Sequence, residues 1–344
     1  MLRRAIELGK PVVTGYTALL ASHGADLFAA ADDAGVDLLF EAAVGGGIPL
    51  MRPLRESLVG EPVSRITGII NGTTNYILTR MTDAGVSYAE ALAEAQALGY
   101  AEEDPTADVE GLDAAAKAAI IATIAFGAVV ESGDVHPEGI SDVSAADIAV
   151  AARLGYAVKP LAVIEGASRD DGSTDVAVRV HPALVPVEHP LASVHDSFNA
   201  VFIEGAAVGE LMFYGRGAGG PPTASAVLGD VIDAAINRVG GSSARIGSLS
   251  RATIRPIDEL SSAYYLSLAV TDRPGVLARV ADEFGRHGVS IRSMEQEGLG
   301  DEAQLIFITH VSQESAIQAT LAAFRELPIV TEIRTVIRVV GDSL

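Results

Sequence analysis

Six carboxylates stand ahead of a single lysine in residues 99–117, GYAEEDPTADVEGLDAAAK, the stretch of this chain whose residue types and spacing best suit chemistry. Glu102, Glu103, Asp104, Asp108, Glu110 and Asp113 share the segment with Pro105 and Gly111, so its early part reads as loop and a helix is predicted to start near Asp108 or Gly111. From Asp113 onward residues 113–130 are dense in alanine and aliphatics and predict a largely buried helix. Asp113 and Lys117 lie four apart, on one face, at the end that points toward the acidic loop. Spacing alone fits a solvated salt bridge on a helix surface. The surrounding positions are apolar or small, however, and a lysine in such a crevice, partly desolvated, can donate a proton.

The elements that must position these groups are bounded by composition. A chain of 344 residues with 49% hydrophobic and 20% charged residues holds two or three domains with substantial cores. Without cysteine there are no disulfides, thiolate metal sites or cysteine nucleophiles, which fits a reducing cytoplasm. A net charge of −21 argues against nucleic acid or an anionic membrane as partner. No apolar run reaches membrane-spanning length, and the N-terminus lacks the apolar core and cleavage site of a signal peptide. The expectation is a cytoplasmic protein.

The first fifty or so residues alternate helix and strand, with helices at 2–10 and 27–35 and strands at 11–16 and 36–44, as in a parallel α/β sheet. No Gly-rich turn precedes the first helix. From Gly45 to about Gly240 the patterns predict helices at 49–58 with Pro49 at its first position, at 71–84, 88–97 and 113–130, and strands at 159–166, 175–182, 199–205 and 209–215, forming an antiparallel sheet covered by helices. Residues 241–262 read as a polar linker, and the chain beyond it alternates as βαββαβ, a ferredoxin-like module. GRGAGG at 215–220 satisfies GxGxxG but is rejected as a dinucleotide fingerprint: its strand sits among hairpins, Pro221 and Pro222 occupy the turn, and no second parallel strand with an acidic end comes after it. Its backbone N–H groups, at a helix start, face an anion or a tightly packed neighbour.

The motifs EAAVGGGIPLMRPLRESL (41–58), GIINGTTNYILTRM (68–81), ALGYAEEDPTADVEGLDAAAK (97–117) and YGRGAGGPPTASAV (214–227), with DRPGVL (272–277) after them, closely resemble bacterial homoserine dehydrogenases with a C-terminal ACT domain. The resemblance implies an α/β chain built from the C-terminal remnant of a Rossmann-type nucleotide-binding domain (1–44), an α+β substrate and dimerisation domain (45–240), a linker (241–262) and a ferredoxin-like ACT regulatory domain (263–344). It implies reduction of L-aspartate 4-semialdehyde to L-homoserine by NADH or NADPH on the route to threonine and methionine. Lys117 would donate the proton and Asp113 would position substrate and proton with it; Glu102 would bind the substrate, most simply at its ammonium group, with Asp108, Thr73 and Tyr100 lining the pocket, and Gly99 and Gly217 would approach the cofactor. Glu41 and the carbonyls of Val44, Gly46 and Ile48 would hold a monovalent cation such as sodium, a role a glycine-rich turn can serve by aiming carbonyls at one point. A tight strand-to-helix turn explains the same residues.

In ACT domains the first strand-to-helix turn, here Asp272, Arg273, Pro274, Gly275 and Val276, commonly binds an amino acid at a shared interface, with threonine the expected effector and a homodimer or homotetramer the expected assembly. An ordinary loop with Asp272 as helix cap accounts for those residues too. Two departures stand out. The resemblance begins inside the nucleotide-binding domain, as in an N-terminally truncated member, and Gly15-Tyr16-Thr17 stands where the family has Ala-Asn-Lys. A rival expectation is therefore a catalytically silent homologue that senses an amino acid.

Overall fold

The computed structural model describes residues 1–169, 173–298, 300 and 302–341. Helix α1 (Leu2–Glu7), β1 (Val12–Val13), α2 (Thr17–Ala34) and β2 (Leu38–Leu39) form the first unit, in which β1 and β2 pair in parallel. The strand expected over 36–44 is only two residues long because the chain turns into a 3₁₀ segment at Glu41–Ala43. Residues 49–58 also depart from expectation. The helix opens at Met51 rather than at Pro49 and continues as a π-type turn over Pro53–Ser57.

The central unit begins with β3 (Val63–Ile69) and continues through α3 (Gly72–Ala84), α4 (Tyr88–Ala97), the short α5 (Thr106–Val109) and α6 (Leu112–Phe126). Gly127, in a left-handed conformation, ends α6 before the predicted limit at 130, and β4 (Ala128–Val129) comes next. The chain then forms β5 (His136–Pro137), α7 (Ala145–Arg153), β6 (Tyr156–Ser168), β7 (Thr174–Pro186), β8 (Phe198–Gly205), β9 (Gly209–Arg216) and α8 (Gly220–Gly240). Strands β7, β6, β3, β8 and β9 form an antiparallel sheet in that order, as the hairpin spacing suggested. One face carries Ile66, Ile164, Val178, Val180, Val201 and Ile203, which share a core with the alanines of α6. Five alanines of α6 are buried there, and their small side chains let the helix lie close to the sheet.

The expected linker is not unstructured. It contains β10 (Ser250–Ile254), which pairs in parallel with both β4 and β7, because residues 250–254 alternate in burial and the edge of β7 is free to receive them. The last unit is β11 (Ser261–Thr271), α9 (Val276–Arg286), β12 (Ile291–Gly298), β13 (Glu302–Thr309), β14 (Ser312–Gln313), α10 (Glu314–Glu326) and β15 (Val330–Val339). It has the βαββαβ order predicted, with β14 as an added edge bridge. Its sheet continues the central one: β15 pairs in parallel with β7 through Arg338↔Ala183 and Val339↔Leu184. The domain boundaries are also blurred at the other end, where α8 packs on β1 and on Glu41–Ala43 of the first unit.

Candidate active site

The site is built where β3 runs out into α3 and where α5 turns into α6. Asn71 is the N-cap of α3, and its Oδ1 accepts the Thr74 N–H at 2.9 Å, leaving its amide nitrogen free to point away from the helix. That Nδ2 donates to Asp108 Oδ1 at 2.8 Å and to Asp113 Oδ2 at 2.9 Å. Asp113 sits in the first turn of α6, where a carboxylate is favoured by the helix dipole. Lys117, one turn on, donates to Asp113 Oδ2 at 2.7 Å and to the carbonyl of Ile70 at 3.1 Å. Two carboxylates and one ammonium are thus held by an amide and a carbonyl at the end of β3.

Gly111 makes the α5–α6 turn possible. It is left-handed at φ 78°, and a Cβ there would meet Val180 Cγ1 at 3.1 Å and the carbonyl of Glu138 at 3.2 Å. The turn is clamped from below, since Ile140 N–H donates to the Val109 carbonyl and Glu138 N–H to the Val180 carbonyl. Burial pushes the Asp108 carboxyl above the ordinary aspartate range, opposed by the Asn71 hydrogen bond; the Asp113 charge adds to the rise, and Lys117 and Thr73 lower it.

The predicted pocket residues are only partly brought together. Asp108, Asp113 and Lys117 meet, and Thr73 closes one side by donating to the Tyr100 carbonyl at 2.6 Å, with the Tyr100 ring tilted on Tyr76 at 4.8 Å between centroids. Glu102 is exposed, and its side chain has no hydrogen bond or ion pair among the described residues; Gln96 holds its backbone carbonyl at 3.0 Å. Gly99 lies in the left-handed turn after α4 with open space around its Cα. Gly217 is elsewhere, in the loop from β9 to α8, pressed against two neighbours. A Cβ on it would fall 2.0 Å from Asn199 Nδ2, and a Cβ on Gly46 would fall 2.1 Å from its carbonyl. Asn199 also borders Gly72, so it bridges the start of α3 to the Gly217 loop.

The Glu41–Ile48 turn is shaped around the Glu41 carboxylate. Its Oε1 accepts the N–H groups of Leu50 and Met51 and its Oε2 that of Arg52, so Glu41 caps the helix that starts there. Gly45 and Gly46 are both left-handed, and Thr17 donates to the Ala43 carbonyl at 2.7 Å. In the last unit Asp272, Arg273, Pro274 and Gly275 are exposed and Val276 is buried; Gly275, not Asp272, is the N-cap of α9. A cavity of about 970 Å³ that Lys117 does not line lies between Glu110, Leu112, Pro137, Glu138, Gly139 and residues 333–337 of β15. Sequence reasoning gave no role to Asn71, whose place directly before a helix signals a cap but not the second job of its amide nitrogen.

Comparison with known proteins identifies the family. The family model described as homoserine dehydrogenase matches residues 49–232 and that of the ACT domain residues 264–329. The chain is 51% identical over 339 residues to homoserine dehydrogenase of Corynebacterium glutamicum, covering 98% of this chain and 76% of that protein. It superposes on the crystal structure of a homoserine dehydrogenase from Thiobacillus denitrificans with a TM-score of 0.92 at 39% identity, over 98% of this chain and 78% of the other. A hyperthermophilic archaeal homoserine dehydrogenase in complex with NADPH matches 68% of this chain and 67% of its own with a TM-score of 0.59 at 31% identity. Family match, identity and fold agree with one another across nearly the whole sequence, so the chain belongs to the homoserine dehydrogenase family of NAD(P)-dependent oxidoreductases and carries a C-terminal ACT domain.

Proposed function

We propose that the cluster of Asn71, Asp108, Asp113 and Lys117 is where L-aspartate 4-semialdehyde is reduced to L-homoserine, with Lys117 as the proton donor. One observation carries the assignment: Lys117 Nζ is fixed by Asp113 Oδ2 and the Ile70 carbonyl, so the ammonium presents its remaining proton in one direction. Bound NAD(P)H supplies a hydride to the aldehyde carbon. As the carbonyl oxygen takes on charge, Lys117 passes it a proton and is left as a neutral amine, which solvent reprotonates. Asp113 orients the lysine through the 2.7 Å contact. Asp108, with Asp113 beside it, faces the substrate's ammonium; Thr73 and Tyr100 form the wall, and Glu102 extends the acidic rim.

A bound NAD(P)H would lie toward the carboxyl ends of the parallel β1–β2 pair, the side on which open α/β sheets bind ligands. Gly99 and Gly217 offer backbone on that approach, while Thr17 is neutral and already committed to the Ala43 carbonyl. A monovalent cation such as sodium would be held by the carbonyls of Val44, Gly46 and Ile48 with an oxygen of Glu41. Both carboxylate oxygens of Glu41 are engaged by N–H groups, so the carbonyls carry the weight of that site. An amino acid, threonine by the pathway's logic, would bind the exposed Asp272–Val276 turn where two copies of the chain meet.

The test is Lys117→Ala in the full chain. Loss of a general acid is expected to lower kcat by about two to four orders of magnitude with cofactor affinity unchanged. A kcat near that of the parent would remove Lys117 from the chemistry.

A further inference from the structure

The cluster around Lys117 and the loop after β9 meet at one buried side chain, that of Asn199. The β3–β8 ladder ends at Ile69↔Ala200, and its antiparallel register carries Ile70 to the side of Asn199 and Gly72 to that of Ser197. The approach is close: a Cβ on Gly72 would fall 2.6 Å from the Ser197 carbonyl and 3.5 Å from Asn199 Oδ1. Ile70 and Asn71 are the residues whose carbonyl and amide hold Lys117, Asp108 and Asp113. Asn75 of α3 donates to the carbonyls of Asp196 at 2.9 Å and Phe198 at 3.2 Å, which ties the start of β8 to the same helix. Asn199 is thus fixed to the proton-donating side of the site.

On its other side β8 pairs with β9, with Asn199 opposite Gly215, and the chain beyond β9 brings Gly217 onto the Asn199 side chain. A Cβ on Gly217 would fall 2.0 Å from Asn199 Nδ2, so the amide fills the space in which that side chain would stand. The φ of Gly217 lies outside the left-handed range that favours glycine, and the three atoms nearest the Cβ position all belong to Asn199, so it is Asn199 that excludes a larger residue. The same loop is fastened to the 44–48 turn. Gly47 N–H donates to the Arg216 carbonyl at 3.1 Å, and a Cβ on Gly46 would fall 2.1 Å from the Gly217 carbonyl.

Asn199 does not hold the loop by hydrogen bonding. It is 1% exposed, its Oδ1 has no partner among the described residues, and its Nδ2 donates to none of them. What it supplies is volume between α3 and the Gly217 loop, in close-packed surroundings where a change of size is felt on both sides.

We propose that Asn199 is a positioning residue for the reduction: it sets the gap between Lys117 and the Gly217 loop, along which the cofactor approaches. This role rests on Lys117 being the proton donor. Hydride and proton must arrive at the two ends of one carbonyl bond, so a gap wrong by about 1 Å costs on the order of 100-fold in rate. Asn199 is not part of the wall formed by Asp108, Thr73 and Tyr100, so the gap governs kcat rather than substrate binding.

Second-site rescue in the full chain is the test. Asn199→Ala and Asn199→Ser both withdraw the Nδ2 end and should lower kcat at least about tenfold, with KM for the aldehyde and calorimetric affinity for L-homoserine within about threefold of the parent. Adding Gly217→Ala to Asn199→Ala returns a methyl to the vacated space. The double variant should regain at least about fivefold in kcat over Asn199→Ala and unfold in urea no earlier than it does, while Gly217→Ala alone is the least stable of the set. A parental kcat in either Asn199 variant, or losses that fall on KM and homoserine affinity instead of kcat, would overturn the proposal. So would a double variant that unfolds earlier than Asn199→Ala, or one that matches it in stability without recovering kcat. Lys117→Ala keeps the two readings apart: a parental kcat there removes the proton donor and this role with it, whereas a lost kcat at Lys117 beside an unaffected Asn199 series overturns the spacing role alone.

Discussion

Replacing Asn71 with alanine should damage stability and catalysis together, and the structure says by how much. The side chain does three jobs: it caps α3 through Thr74 N–H and donates one hydrogen bond to each of two carboxylates. Loss of an N-cap costs about 1 kcal/mol. A hydrogen bond to a charged group contributes about 1.5–3 kcal/mol, and at the lower end of that range the two bonds and the cap together come to about 4 kcal/mol. Asp108 and Asp113 would then repel each other unscreened, and Asp113 could no longer hold Lys117 in place. A misplacement of about 1 Å costs on the order of 100-fold in rate, so kcat/KM should fall by about that factor. Asn71→Ser separates the effects, because serine restores the cap but cannot reach both carboxylates. Urea unfolding should show about 1 kcal/mol recovered in the serine variant, with kcat/KM as low as in the alanine variant. If Asn71→Ala unfolds within about 1 kcal/mol of the parent and keeps kcat/KM within about threefold, the two bonds are idle and the site argument fails.

Because the Asp108 carboxyl is pushed up by burial, it is protonated at a higher pH than an ordinary aspartate, and kcat/KM should fall as pH drops through that raised value. Asp108→Asn should flatten this acid limb at a lower overall level; an unchanged limb assigns the titration to another group. Gly217→Ala puts a methyl within 2.0 Å of Asn199 Nδ2, and Asn199, 1% exposed, has nowhere to go. A loss of about 2–3 kcal/mol in thermal or urea unfolding is expected, as for other overpacked positions. Arg338→Met strips the buried partner from Glu138 and Glu314, which should cost about 3–5 kcal/mol. It should raise KM for the aldehyde more than it lowers kcat, and an intact KM in a folded variant would disconnect Arg338 from the site.

Much of the site was legible because its parts are close in sequence. Asp108, Asp113 and Lys117 fall within ten residues, and helix spacing alone places the last two on one face. Asn71 was not legible as a partner, since nothing in its neighbourhood specifies that β3 would bring its amide to carboxylates 37 and 42 residues away. The βαββαβ order and the central hairpins were readable from two-residue alternation. What sequence could not supply was pairing between distant strands. The polar stretch after α8 has the composition of a linker, yet the open edge of β7 turns residues 250–254 into a strand. The same limit hid the junction of the last unit, whose β15 reads as the end of an independent module and instead extends the central sheet.

That junction changes how an ACT domain can act on this catalytic centre. A module on a flexible linker would reach the site only by moving as a body, whereas here β15 shares backbone hydrogen bonding with β7 and two polar clusters pin the units together. In one, Tyr265 and Thr335 of the last unit donate to Asp147 on α7. In the other, Arg338 holds Glu138 at 2.7 Å, and the residues just after Glu138 hold the turn between α5 and α6: Gly139 packs so closely on Val109 and Glu110 that a Cβ would fall 2.6 Å from the Val109 carbonyl. Asp108 and Asp113, the carboxylate that holds Lys117, sit on the two sides of that turn. A shift of β15 by a fraction of an ångström would press through Arg338, Glu138 and Gly139 on both carboxylates, because close-packed backbone at Gly139 and Gly111 leaves little slack to absorb it.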